Sequence, residues 1–241
     1  VSEFLKKSSW EQAKKDSRGY SDPNLLEGYI SEFKLNPVWN KDYDNMLFDS
    51  RTISALNSIG MILLLTGQKE INVCDIGGGN GELAFAVTKK FNFIKFEWNI
   101  FETKEISHAY EELSNHEKIK WSEYKGELDE IYDIIILSSS LHYFDEPYEL
   151  LTKIEDKCKF LMVLRLPLID SNHDIPAVQN GVNNLGVKVS VPYWFLSQTK
   201  FDGYLENFGD IVLKWEQREE IVEFEGQSTT MQGRLIRTKK S

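Results

Sequence analysis

Between residues 71 and 82 the chain spaces an acid and three glycines two positions apart: Asp75, Gly77, Gly79 and Gly81, with Gly78 among them. The apolar run 71–76 reads as a buried strand that ends in this acid. A helix is expected from about Glu82, with Leu83, Ala84, Phe85, Ala86 and Val87 in its first turns. Glycines belong where the backbone turns sharply and a ligand comes close, because no Cβ stands in the way. The helix start behind them offers free N–H groups and a positive dipole end. The spacing does not fit G-x-G-x-x-G, since a count from Gly77 puts the last glycine at Glu82. It does not fit G-x-x-x-x-G-K-[ST] either. A turn that binds nothing is the plain alternative. The acid, the three spaced glycines and the apolar strand together speak against it.

A second acid, Glu102, follows the strand-like run 95–101. It lies about 20 residues beyond the glycines, where nucleoside-binding folds place the acid that holds a ribose. Two carboxylate oxygens can accept from both ribose hydroxyls. The alternative is a solvated acid after a strand. The continuous apolar run 132–137 reads as a doubly covered parallel strand. Ser138, Ser139, Ser140, Leu141, His142 and Tyr143 follow at its C-terminal end, the end at which open α/β sheets bind ligands. A neutral histidine there suits removal of a proton from a hydroxyl. It equally suits a helix entry bonded to backbone.

The elements that must position these groups can be read in order. Residues 1–70 read as a helical lead-in, opened by the capping pattern around Ser8 and Ser9. Asp22-Pro23 starts a second helix carrying Leu25, Leu26, Tyr29, Ile30 and Phe33. A third helix is expected over about 49–65, stopped by Gly67. These helices either cover the sheet edge or bring Arg18, Tyr20 and Arg51 into the cleft. Residues 71–241 form the second unit. A fifth strand covers 160–164, and Arg165 leads out of it into a long connection carrying His173, Asp174, Tyr193, Trp194 and Phe195. A helix over 199–207 and two closing strands, 211–215 and 233–237, complete the chain as an antiparallel pair.

Composition narrows the partners. The 241 residues suffice for one α/β domain with additions. A net charge of −10 argues against nucleic acid and against an anionic membrane surface. Cys74 and Cys158 are the only cysteines, which excludes a disulfide scaffold. The apolar run 59–65 is too short to span a bilayer, and no signal peptide is visible. A cytoplasmic protein is expected, and the start at Val1 fits a trimmed N-terminus. His108, His116, His142 and His173 are scattered without H-x-x-x-H spacing, so no metal site is expected.

On Asp75, the glycines and Glu102, residues 71–162 resemble the core of class I S-adenosylmethionine (SAM) dependent methyltransferases. The resemblance implies a Rossmann-like α/β fold with helices on both faces. Its seven-stranded sheet runs 3-2-1-4-5-7-6, with the last strand antiparallel. It implies SAM as cofactor and S-adenosylhomocysteine (SAH) as product. The glycines then approach the methionine part, Asp75 helps hold its ammonium, and Ser122, Glu123 and Ser138 join the cofactor site. Leu141-His142 is similar to the Leu-His step of small-molecule O-methyltransferases, in which the histidine takes the acceptor's proton.

The whole chain more loosely resembles a methyltransferase family of bacterial polysaccharide gene clusters, for O-antigen or capsule. The marks are Trp10-Glu11-Gln12-Ala13, Gly19-Tyr20, Trp98, Leu141-His142-Tyr143 and Tyr193-Trp194-Phe195. This implies a small-molecule acceptor: a sugar, a sugar nucleotide or a related precursor. Tyr20, Tyr143, Arg165, His173, Tyr193 and Trp194 are the candidate acceptor contacts, suited to a polar ring with a phosphate nearby. Four rivals stay open: an N-methyltransferase, a methyltransferase of a phosphorylated small molecule, an inactive SAM-binding partner subunit, and, against the glycine spacing, a nicotinamide oxidoreductase.

Overall fold

The computed structural model describes residues 2–114, 116–182 and 186–239. Strand β1 (Glu3–Lys6) precedes helices α1 (Trp10–Asp16), α2 (Pro23–Leu35) and α3 (Ser50–Thr66). The sheet core follows as β2 (Glu70–Ile76), α4 (Glu82–Lys90), β3 (Lys95–Glu102), α5 (Lys104–Leu113), β4 (Ile119–Glu123) and β5 (Tyr132–Ser138). Then come α6 (Pro147–Ile154), β6 (Cys158–Ile169), β7 (Ile175–Val182), β8 (Lys188–Ser197), α7 (Gln198–Phe208), β9 (Gly209–Phe224) and β10 (Gln227–Thr238).

Seven strands run in the order β4-β3-β2-β5-β6-β10-β9. The first five are parallel, and β10 is antiparallel to both β6 and β9. This is the expected order 3-2-1-4-5-7-6. Period-two alternation explains why the central strands read as unbroken apolar runs. Val73, Ile134 and Ile136 face one layer with α3, α4 and α5, while Cys74, Ile135 and Leu137 face α6 and α7. Ile134, Ile135 and Ile136 are fully buried. Each such side chain stabilises the fold by roughly 1.5–3 kcal/mol.

The helix ends follow local chemistry. Asp49 caps α3 by accepting from the Thr52 N–H at 2.7 Å. Gly67 ends the same helix in the left-handed conformation, φ 66°. Ser197 caps α7 through the Lys200 N–H.

Two segments differ from expectation. Residues 3–6 form a strand rather than helix, paired antiparallel with β7. The long connection after Arg165 is not irregular either: β6 continues to Ile169, and β7 and β8 form an antiparallel pair. With β1 they make a three-stranded sheet joined to the core where β8 meets the end of β6, at Leu168 and Leu196. The reason is alternation. Val189, Val191, Tyr193 and Phe195 recur every second residue, and the last three are buried. The kink that steers β6 away is Arg165, at φ 52°.

Candidate functional site

Strand β2 ends on the acid, and the turn that follows is held from several sides. The Gly77 N–H donates to the Phe101 carbonyl at 2.8 Å. The Gly79 carbonyl accepts from Trp121 Nε1 at 2.9 Å. Gly77 has φ 75°, and a Cβ there would stand 2.5 Å from the Ser140 Cβ. Gly79 has φ 58° and nothing within 4 Å of its missing Cβ. The first position is therefore closed by packing, and the second faces open space.

Glu102 ends β3 opposite this turn. Its Oε1 accepts from the Gly79 N–H at 2.9 Å, and its Oε2 accepts from the Thr103 N–H at 3.1 Å. Each oxygen keeps a lone pair for a ligand hydroxyl. Burial pushes the carboxyl above its usual range, and the two N–H donors oppose that push.

Asp75 lies beneath the turn, fully buried. Trp98 Nε1 donates to its Oδ2 at 3.3 Å, while Oδ1 has no partner. A Cβ at Gly78 would sit 2.6 Å from this carboxylate. Burial raises the Asp75 pKa to about 7, against the pull of Trp98 and Arg51. An unpartnered buried carboxylate oxygen fits a cationic ligand group nearby.

A cleft of about 330 Å³ opens between the turn, the end of β3 and the loop after β5. Gly77, Glu102, Thr103, Ser139 and Ser140 supply its polar wall. Tyr20, Phe101, Tyr124, Tyr143 and Phe144 supply its aromatic wall. The volume and the largely aromatic lining suit a small organic ligand held by few polar groups. A glycine cradle, a bidentate acid and an aromatic wall together fit a nucleoside with a charged tail.

Of the residues singled out by sequence, the cleft wall brings together Gly77, Glu102, Tyr20 and Tyr143. The Tyr20 and Tyr143 rings meet edge to face at 5.0 Å, and the Tyr143 hydroxyl donates to Gln179 Oε1 at 2.9 Å. Asp75 and Gly78 lie under the turn, and Gly81 caps α4. Ser138 is buried at the end of β5 with its hydroxyl unpartnered. Ser122 and Glu123 line a separate groove with His108 and Glu111. Ser139 and Ser140 were placed at the ligand end of the strand without a role, and Phe101, Thr103, Tyr124 and Phe144 were not singled out. Each is a chain neighbour of a residue that was, or one position further on.

His142 sits in a 3-10 turn, Leu141–Tyr143, and is only 1% exposed. Its ring packs 4.2 Å from Tyr143 and 4.6 Å from Tyr193. Its Nδ1 has no partner. Burial, then the charge of Arg165, lowers its pKa to about 3. The ring is therefore neutral at ordinary pH. It is not part of the cleft wall, which its neighbour Tyr143 forms.

The other candidates spread apart. Arg165 pairs with Glu220 of β9 at 2.5 Å. Tyr193 is buried with an unpartnered hydroxyl. Trp194, on the opposite side of β8, stacks on Trp10 of α1 at 4.9 Å. His173 is exposed in a turn with Ser171. Arg18 pairs with Asp22, and Arg51 lies near Asp49 and Glu82. Among the described residues no group of three or more His, Cys, Asp or Glu could hold a metal. No helix among them is long and apolar enough to cross a membrane.

Residues 48–209 match a protein family described as a methyltransferase domain. Comparison with curated proteins returned no match. Solved structures with similar folds include the CcbJ methyltransferase from Streptomyces caelestis. It has a TM-score of 0.53 and 13% identity over 81% of this chain and 94% of that one. The SAH-bound N-terminal domain of EvdMO1 has a TM-score of 0.52 and 14% identity over 88% and 96% of the two chains. The SAH complex of the plantazolicin methyltransferase BpumL has a TM-score of 0.47 and 16% identity over 64% of this chain. This chain spans 58% of the length of BpumL.

Proposed function

We propose that this chain, which belongs to the methyltransferase-domain family, uses SAM as its methyl donor. From that premise we propose that it methylates a hydroxyl oxygen of a small polar acceptor: a sugar, a sugar nucleotide or a related polysaccharide precursor. The observation that carries this reading is the neutral, unpartnered Nδ1 of His142 at the C-terminal end of β5, one residue from the cleft wall.

The cofactor, when bound, supplies a methyl group on a sulfonium, open to in-line displacement. The residues of the chain do the rest. Glu102 would hold paired ribose hydroxyls on the lone pairs that Gly79 and Thr103 leave free. Asp75, unpartnered at Oδ1, would face the ammonium end beneath the turn, and a cation there would favour its ionised form over the protonated one that burial promotes. The phenols of Tyr20 and Tyr143 enclose the reacting side and exclude water. Methyl transfer would break the carbon–sulfur bond and release SAH while the carbon–oxygen bond forms, and the acceptor's hydroxyl proton would become strongly acidic. A base with a pKa of about 3 is then strong enough, and His142 takes that proton on Nδ1.

Residues 1–70 act as a cover for the cofactor cleft in this reading. Tyr20 in the cleft wall supports it, as does the bonding of the Arg18 and Gly19 N–H groups to the Ser190 carbonyl of β8. The test is a mass-spectrometric screen of simple sugars, nucleotide sugars and small amines with SAM. A gain of one methyl on a hydroxyl acceptor is expected. A gain only on amines would favour N-methylation, and SAM binding with no product would favour an inactive partner subunit.

A further inference from the structure

The sheet of β1, β7 and β8 stands outside the seven-strand order, yet one of its side chains holds a residue of the cleft wall. Gln179 of β7 pairs in register with Phe4 of β1 on one side and with Val191 of β8 on the other. Paired residues share a face, and Phe4 packs on that face with Ala177, Tyr193, Phe195 and Tyr143. Gln179 accepts from the Tyr143 hydroxyl on Oε1 at 2.9 Å, and its Nε2 donates to Ser2 Oγ at 3.2 Å. Both ends of the amide are therefore committed. Tyr143 lines the cleft and Gln179 does not, so the phenol is held from behind.

That bond fixes what the phenol offers to a ligand. A tyrosine hydroxyl carries one proton and lone pairs that can accept. Tyr143 gives its proton to Gln179, so toward the cleft its oxygen can only accept. Burial pushes the phenol up to about 12, so it keeps this proton at ordinary pH. Tyr143 follows His142 in the chain, with the two ring centroids 4.2 Å apart. Groups that meet these two residues stand close together. In the reading above, the proton of the methylated hydroxyl goes to His142. A proton given to Tyr143 then belongs to a second, neighbouring hydroxyl.

We propose that Gln179 is a positioning residue for acceptor recognition: by taking the Tyr143 proton, it leaves the phenol oxygen to accept from the hydroxyl beside the one that is methylated. This rests on the methyltransferase reading above and narrows its acceptor to a vicinal diol.

The experiment uses the full chain with Gln179→Leu, Gln179→Glu, Tyr143→Phe and the double variant Gln179→Leu/Tyr143→Phe. Leucine removes the acceptor for the phenol, while glutamate keeps one. SAH affinity is measured first by calorimetry, and a wild type that does not bind SAH would remove the methyltransferase reading itself. SAH release is then followed with methyl hexosides and their single-deoxy analogues. Gln179→Leu should bind SAH like the wild type and lose about tenfold in kcat/KM on a hexoside, chiefly through KM, while Gln179→Glu keeps most of the activity. The wild type should favour the hexoside over the analogue lacking the neighbouring hydroxyl, and Gln179→Leu and Tyr143→Phe should each lose that preference. The double variant should be no worse than Tyr143→Phe alone, because the amide acts only through the phenol. Losses that multiply in the double variant would make Gln179 a packing residue and overturn the proposal. An unchanged KM in Gln179→Leu, a preference retained in Tyr143→Phe, or a wild type that binds SAH yet methylates no hexoside would overturn it as well.

Discussion

The carboxylate of Glu102 accepts the backbone N–H of Gly79 at 2.9 Å, tying the end of β3 to the turn after β2. The second oxygen is equally committed, to the Thr103 N–H at 3.1 Å. Both oxygens must therefore remain acceptors. Glu102→Ala should weaken SAM by roughly 1–3 kcal/mol, the cost of unmade buried hydrogen bonds. Glu102→Gln should be nearly as damaging, because its NH₂ end would face one of two N–H donors. Since burial raises this carboxyl, SAM affinity should fall as pH drops through its raised value. Calorimetry on the two variants, and across pH on the wild type, checks each point. A glutamine variant that binds like wild type would show that the N–H contacts are dispensable.

Two glycines of the same turn should respond in different ways. A methyl at Gly77 would collide with Ser140, so Gly77→Ala should lower the melting temperature and disturb the loop after β5. At Gly79 the space is open, and only the left-handed backbone resists substitution, at about 1–2 kcal/mol. Gly79→Val should therefore keep the fold and abolish SAM binding. Circular dichroism followed by calorimetry separates the two. Unchanged affinity in folded Gly79→Val would remove this turn from the cofactor site.

Asp75 links the site to stability. Its folded pKa of about 7 lies above the ordinary 3.8, so the folded state holds a proton that the unfolded state has released. The associated stability is full below about 3.8 and is lost as pH rises through about 7. Asp75→Asn keeps an acceptor for Trp98 and removes the buried charge. The cofactor-free variant should gain on the order of 1–4 kcal/mol at pH 8, with little change at pH 4, while SAM binding weakens. Urea unfolding at both pH values checks the sign. A variant that is less stable at pH 8 would mean that the ionised carboxylate is fully compensated.

How far the sequence reaches is clear from these residues. The strand ends at Asp75 and Glu102 and the glycine turn between β2 and α4 were legible because a strand, a turn and a helix start are local chemistry. The positions of Tyr193 and Trp194 were not. They depend on β8 pairing with β7, and on β7 pairing with β1 from the opposite end of the chain. Side-chain parity then sends Tyr193 to His142 and Trp194 to Trp10. Ser122 and Glu123 face a separate groove, while Tyr124, one position on, faces the cleft.

His142 separates chemistry from binding. His142→Ala should leave SAM affinity nearly intact and lower turnover about 10²–10⁴-fold. The pKa of about 3 places the His142 limb far below the ordinary histidine range, so at saturating SAM the wild-type rate should show no histidine limb between pH 8 and pH 5. Stability behaves differently. The folded pKa lies below the ordinary 6.5, so stability is full above that value and falls steadily as pH drops toward 3. A wild-type rate limb near pH 6.5 would show a solvated, freely titrating ring.

The account rests most directly on where the methyl group goes. Purified protein is incubated with SAM labelled with ¹³C in the transferred methyl and with the best acceptor from the screen, and the product is read by NMR. An oxygen-bound ¹³C methyl, formed in equal amount with SAH and lost in His142→Ala that still binds SAM, is the predicted result. A methyl group on nitrogen, or bound SAM with neither product nor SAH for any acceptor, would contradict it.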